Sequence, residues 1–279
     1  MSKPLLQQDN HKIITLLVIF SGLKFFTFFI FSTALTFASP SLPAKIMAGS
    51  LELKKIPKGE QILGLPHQLP EMKAYQGLRK VKIPHPFYLG STEVTQESWQ
   101  KVMKYNPSIH RGNKKPVENI SWLEAQTFCQ KLNEQADRDL LPQGMKFRLP
   151  SESEWEFAAR AHSSSLFFFG NEESKITDYA WIYLNSNKQT HEVGLLRPNS
   201  FGLYDIYGNV REWCQDTYSP WGTSPAKEPE SSYQSKERTH RGGSWDSCEE
   251  CCKSGTRSKA SPNSKSKDIG FRIAFGPPL

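Results

Sequence analysis

The sequence predicts an irregular, loop-rich α+β domain, and three observations predict it. Only two segments carry a helical apolar face behind a capping residue. The strand-like runs are short and scattered. Glycines, prolines and polar clusters interrupt the chain at short intervals, with 18 Gly and 19 Pro among 279 residues. An apolar fraction of 37% and an aromatic fraction of 12% are enough for a sizeable core pinned by large rings, in one large domain or two small ones.

The first element is the apolar run Ile13 to Ala38, interrupted only by Lys24 and preceded by Lys3 and Lys12. A positive start, an apolar stretch and small residues near its end describe a secretory signal. Lys24 can close the basic region, leaving Phe25 to Phe37 as the apolar core, with Thr36 and Ala38 three and one residues before a cut. The alternative is an uncleaved signal anchor, since the run is long enough to span a bilayer. Residues 1–44 are therefore expected to be a signal peptide or anchor, and 45–279 a single domain outside the cytoplasm, periplasmic or held on the outer side of a membrane. That compartment allows disulfides. Any membrane contact would run through the N-terminal segment.

Within 45–279, "SWLEAQTFCQKLNEQA" (121–136) predicts a helix capped by Ser121 with Glu124 three residues on. Leu123, Ala125, Phe128, Cys129 and Leu132 form its apolar face. "SESEWEFAARA" (151–161) predicts a second, capped by Ser151 with Glu154, turning Trp155, Ala158 and Ala159 inward. "KVKIPHPFYLG" (80–90), "EVGLL" (192–196) and "GFRIAF" (270–275) predict strands. Arg148 and Arg160 are expected to pair with nearby carboxylates. Gly208-Asn209 should make a turn leading into a buried Trp213, and Arg272 a charge-assisted bond. The net charge of +7 lacks a dense Lys/Arg block with interleaved aromatics, which gives no nucleic-acid partner. Lys259, Lys265 and Lys267 read as an exposed basic loop.

Several phrases follow in a fixed order: "HPFYLGSTEVTQESWQKVM", "KPVENISWLEAQTFCQKLNE", "FRLPSESEWEFAARA", "FFFGNEE", "NSFGLYDIYGNVREWCQD", "RGGSW" and "DIGFRIAF". The series, over roughly Leu51 to Phe275, resembles the formylglycine-generating enzyme (sulfatase-modifying factor) family. The resemblance implies a C-type-lectin-like fold with little regular secondary structure. "DIYGNVRE" by itself suggests calcium, because two carboxylates and backbone carbonyls on one turn supply hard oxygen ligands; an N-cap with a salt bridge is the plain alternative. The resemblance implies a calcium site at the same phrase, using the side chains of Asp205 and Glu212 and the carbonyls of Gly208 and Val210. A second calcium site near "YAWIYLNSN" is not expected, because Trp181 stands in place of an Asn ligand.

In the oxidases of that family, "GGS" precedes two cysteines, the second five residues after the first, which bind copper(I) and activate oxygen to convert a substrate cysteine to formylglycine. Soft thiolates suit copper(I). Here Gly242, Gly243 and Ser244 match, but "SWDSCEECCKSGTRS" is shorter, with Cys248 and Cys252 four apart. An oxidase would use Ser244, Cys248 and Cys252 as its catalytic set. Structural or disulfide-linked cysteines and a zinc-type CxxC site are the other readings. Adjacent Cys251 and Cys252 rarely bridge each other, so Cys248 is the natural partner of one of them. Two functions follow: an exported accessory module binding an extended peptide, protein or glycan, or a copper-dependent oxidase acting on sulfatase-type proteins. No GxSxG elbow and no phosphate-binding glycine loop points elsewhere.

Overall fold

A computed structural model describes residues 42–65, 77–136, 141–219 and 236–279. The expected signal segment lies outside the described residues. Among the described residues, no helix is long and apolar enough to cross a membrane. Pro43–Leu279 forms one compact unit.

The first and last strands of this unit share the first sheet. β1 (Lys45–Ala48) and β2 (Leu51–Ile56) form a hairpin whose alternate residues are buried. β2 pairs with β5 (Phe87–Gly90), β5 with β11 (Ala274–Gly276), and β11 with β6 (Lys146–Arg148), all antiparallel. β3 (Gly59–Leu63) and β4 (Arg79–Ile83) make a separate hairpin. The second sheet runs β10 (Ile269–Gly270), β7 (Arg211–Thr217), β8 (Arg238–Arg241), β9 (Arg257–Ala260). Lys259 therefore lies on a strand, paired with Glu237, while Lys265 and Lys267 lie exposed in the loop that follows, Lys265 reaching Glu124.

Both anticipated helices are present. α2 (Trp122–Gln135) and α3 (Glu152–Arg160) each start with a reciprocal capping box, Ser121 with Glu124 and Ser151 with Glu154. Such a cap contributes about 1 kcal/mol by satisfying otherwise orphaned N–H groups. A third helix, α1 (Gln96–Met103), is capped by Thr95. Trp99 of α1 stacks on Phe128 of α2 at 5.5 Å, and Phe271 meets both edge-on. Leu123 departs from its expected role: it is 47% exposed, while Ala125, Phe128, Cys129 and Leu132 are buried. "EVGLL" forms turns instead of a strand, with Leu195 60% exposed.

α3 packs against β3, β7 and β8. Trp155, Phe157, Ala158 and Ala159 join Phe167, Tyr207 and Leu203 in the core. The helix also carries buried charge. Glu154 takes both guanidinium nitrogens of Arg148, at 2.6 and 2.8 Å. Glu156 binds Arg160 and Arg241, and Glu152 binds Arg241 and Arg257. Arg241 and Arg257 come from β8 and β9, so these pairs tie α3 to the second sheet. Removing one partner would strand a buried charge, at a cost of about 3 to 5 kcal/mol.

Candidate functional site

Two neighbouring constellations surround the turn Tyr207–Val210. Gly208 sits at φ 73° with its Cα against the Trp181 backbone: an added Cβ would lie 2.2 Å from the Trp181 carbonyl oxygen. Only glycine fits there. Asn209 follows at φ 51° and donates its N–H to the same carbonyl. The turn then enters β7, where Trp213 is fully buried, as expected.

The first constellation holds the anticipated calcium carboxylates, Asp205 and Glu212, and adds Glu93. Glu212 accepts from Arg272 Nε and Nη2 at 2.7 Å each, and from Trp155 Nε1 at 2.7 Å. It is a buried ion-pair partner first. Asp205 Oδ2 accepts from Gly194 N at 2.6 Å, while its Oδ1 and both oxygens of Glu93 are buried without a partner. Burial, reinforced by the Asp205 charge, pushes the Glu93 carboxyl well above its ordinary range; burial also lifts Asp205, to about 6. Three carboxylates thus share the single guanidinium of Arg272. Orphaned carboxylate oxygens are the donor type that a hard cation takes, so Glu93 and Asp205 fit calcium. Glu212 is already committed to Arg272. Among the described residues, no group of three or more His, Cys, Asp or Glu side chains converges on a metal-sized point. Backbone carbonyls would therefore have to complete any shell. Trp181 stacks on His191 at 3.8 Å and provides no ligand of the expected Asn type.

The second constellation is the loop from Arg241 to Arg257. Arg241 is buried beneath α3, and Ser244 is fully buried, its hydroxyl reaching Asp268 Oδ2 at 3.2 Å. Trp245 is buried and donates its backbone N–H to Asn209 O. Cys248 and Cys251 form a disulfide, with their Cα atoms 5.2 Å apart. Cys248 is exposed and Cys251 half-buried. Cys252 points the other way. It is a free, buried thiol, and burial pushes it up to about 12. Its Sγ lies 2.3 Å from where a Cβ on Gly243 would sit. The structure therefore brings Cys248 together with Cys251, and does not bring together Cys248, Cys252 and an open Ser244. Two soft thiolates on one open face are absent from this arrangement, so copper(I) does not fit it. Cys129 and Cys214 are also free and buried. Sequence reasoning missed Glu93. Its signal was an acidic residue three positions past the end of the apolar strand "FYLG".

The sulfatase-modifying factor enzyme 1-like domain family matches residues 46–276. The chain belongs to this family. It is 29% identical over 230 residues to the "Chaperone protein LppX" of Paenibacillus barcinonensis, covering 67% of this chain and 79% of that one. It is 31% identical over 176 residues to the formylglycine-generating enzyme of Streptomyces coelicolor, covering 57% of this chain and 52% of the enzyme, so it spans about half of that enzyme's length. Among solved structures, Treponema denticola variable protein 1 superposes with a TM-score of 0.71 at 31% identity, covering 84% of this chain and 98% of that one. The irregular α+β fold read from the sequence is the fold of this family.

Proposed function

We propose that this family member is an exported accessory module that binds an extended peptide, protein or glycan and lacks oxidase chemistry. The observation that carries the reading is the state of the three loop cysteines. Cys248 is bonded to Cys251, and Cys252 is buried with its thiol held protonated. A copper(I) site needs two accessible thiolates, and with Cys248 bonded to Cys251 and Cys252 buried this loop offers none. The name of the Paenibacillus relative, a chaperone, supports a role on other polypeptides. Export is supported by Lys3 and Lys12 ahead of the apolar run. Calcium, held by Glu93 and Asp205 with turn carbonyls such as those of Gly208 and Val210, would act as a structural ion bracing the turn. One test uses the purified full chain, copper(I), oxygen and a CxPxR peptide, and reads the peptide mass. The expected result is an unchanged peptide and no tight copper(I) binding. Conversion of the peptide cysteine to formylglycine would establish the oxidase instead, which the match at Gly242, Gly243 and Ser244 favours. Fractionation should place the domain outside the cytoplasm, and recovery in the cytoplasm would overturn the export reading.

A further inference from the structure

We infer that the Cys248–Cys251 disulfide is a thiol–disulfide exchange site for cysteine-bearing polypeptides. Three observations point to it. First, the bridge is redundant for the loop. On one side Trp245 is buried and Ser247 Oγ accepts from Ser244 N at 2.9 Å. On the other, Cys252 is buried beneath Gly243, Lys253 pairs with Glu173 at 2.8 Å, and Arg257 is clamped on Glu152. The bond can open while both anchors hold. Second, Cys248 is exposed, so an incoming thiolate can reach its sulfur. Third, an apolar surface stands beside it. Tyr183 N donates at 3.0 Å to the carbonyl of Ser247, the peptide unit leading into Cys248. Tyr183 and Leu184 there are 56% and 64% exposed. Two exposed large apolar side chains next to a reactive sulfur suit a polypeptide cysteine with apolar flanks.

The step balances within the protein and one substrate dithiol. A substrate thiolate attacks Cys248 Sγ, the Cys248–Cys251 bond breaks, and the electron pair leaves on Cys251, which takes a proton from water. A second substrate thiolate attacks the substrate-side sulfur of the mixed disulfide and releases Cys248 as a thiolate. The substrate loses two electrons and gains a disulfide, while Cys248 and Cys251 become a dithiol. Cys252 stays out of the exchange because its buried thiol remains protonated. Exposed Asp246 and Glu250, with half-buried Glu249 between the two sulfurs, give the site a negative rim. That rim favours cationic over anionic thiols.

The inference goes beyond the accessory reading, and its readout, alkylated cysteines, is separate from the copper and formylglycine assay. The full chain, purified without reductant, is exposed to cysteamine, to glutathione, and to a two-cysteine peptide with either apolar or polar flanks. Free thiols are then alkylated and mapped by mass. The expected result is labelling of Cys248 and Cys251 alone, with the near-ultraviolet circular dichroism retained. Cysteamine should outpace glutathione at low salt. The ratio should shrink in high salt and in the Glu249→Gln/Glu250→Gln variant. Tyr183→Ser/Leu184→Ser should slow the apolar-flanked peptide several-fold and leave cysteamine unchanged. Opening that occurs only with loss of the folded signal, or labelling of Cys129, Cys214 and Cys252 at the same rate, would overturn the inference. So would an apolar-peptide rate unaffected by the Tyr183/Leu184 pair.

Discussion

Replacing Gly243 by alanine probes the packing that turns Cys252 inward. Gly243 has φ 74°, where an L-residue costs about 1 to 2 kcal/mol. The new methyl would also sit 2.3 Å from Cys252 Sγ and 3.3 Å from its Cβ. The second contact needs a small shift; the first is an overlap. Overpacking of a full core costs about 1 to 3 kcal/mol, so Gly243→Ala should lose roughly 2 to 5 kcal/mol in all. Cys252→Ala removes one buried heavy atom and should cost about 1 kcal/mol. In the double variant the overlapping sulfur is gone. Its loss should fall short of the sum of the single losses by about 1 to 3 kcal/mol, a coupling that only residues in contact show. Equilibrium urea denaturation of the four proteins, extrapolated to water, measures it. Additivity to within about 0.5 kcal/mol would mean that Cys252 does not lie under Gly243. The argument against a Cys248–Cys252 copper pair would then fail.

Other outcomes follow from buried charge. Calcium at a hundredfold excess over its dissociation constant should stabilise the wild type by about 2.7 kcal/mol, and chelator should reverse this. Glu93→Gln and Asp205→Asn should each abolish the response, and an unchanged melting temperature on chelation in the wild type would refute the site. Glu212→Gln leaves the buried Arg272 guanidinium without its ion-pair partner, so a loss of about 3 to 5 kcal/mol is expected in denaturant melts. His240 is buried, its Nδ1 has no partner, and burial together with the nearby Arg211 lowers it to about 3 from the ordinary 6.5. Its folded form stays neutral while the unfolded form gains a proton, so its contribution is complete above pH 6.5 and falls with acidification, by roughly 3 kcal/mol at pH 4.5. Asp216 opposes this: burial raises it to about 6, so its contribution is full in acid and declines as pH rises from about 4 to 6. Stability measured from pH 4.5 to 6.5 should therefore slope upward more steeply in Asp216→Asn than in the wild type, and less steeply in His240→Asn. Slopes unchanged in both variants would sink this account.

What could be read in advance depended on whether the signal was local. α2 and α3 were legible because a capping serine and a glutamate three residues on announce themselves within four positions. α1 has Thr95 as its cap but Ser98 at the position where those helices carry glutamate, and at eight residues it offers only two turns of pattern. β7 and β8 were hidden because "REWCQDT" and "RTHR" do not alternate in polarity. Glu212 and Arg241 on these strands are buried, and their charges are met by residues 60 and 85 or more positions away. "EVGLL" misled for the opposite reason, since apolar residues need not be inside. The calcium phrase could be read as a pair of acids, but the commitment of Glu212 to Arg272 and the entry of Glu93 are long-range facts. The cysteine pairing likewise rested on which side chain faced the core, which spacing alone leaves open.

The clamp of Arg241 and Arg257 on Glu152 and Glu156 also dictates an order of assembly. α3 is made long before β8 and β9 emerge, and until they arrive its two inward glutamates have only Arg160, the Gly64 N–H and the more distant charge of Arg79 to satisfy them. The first sheet has the same dependence, since β11 is the strand that joins β5 to β6. A nascent chain stopped before residue 241 therefore holds a helix whose inward glutamates still lack Arg241 and Arg257, and a sheet with a missing middle. Both the clamp and the first sheet are thus completed by contacts of long sequence separation, which close only when the last segments arrive. Such a polypeptide stays pliable for most of its synthesis and becomes rigid only after its last segments are in hand.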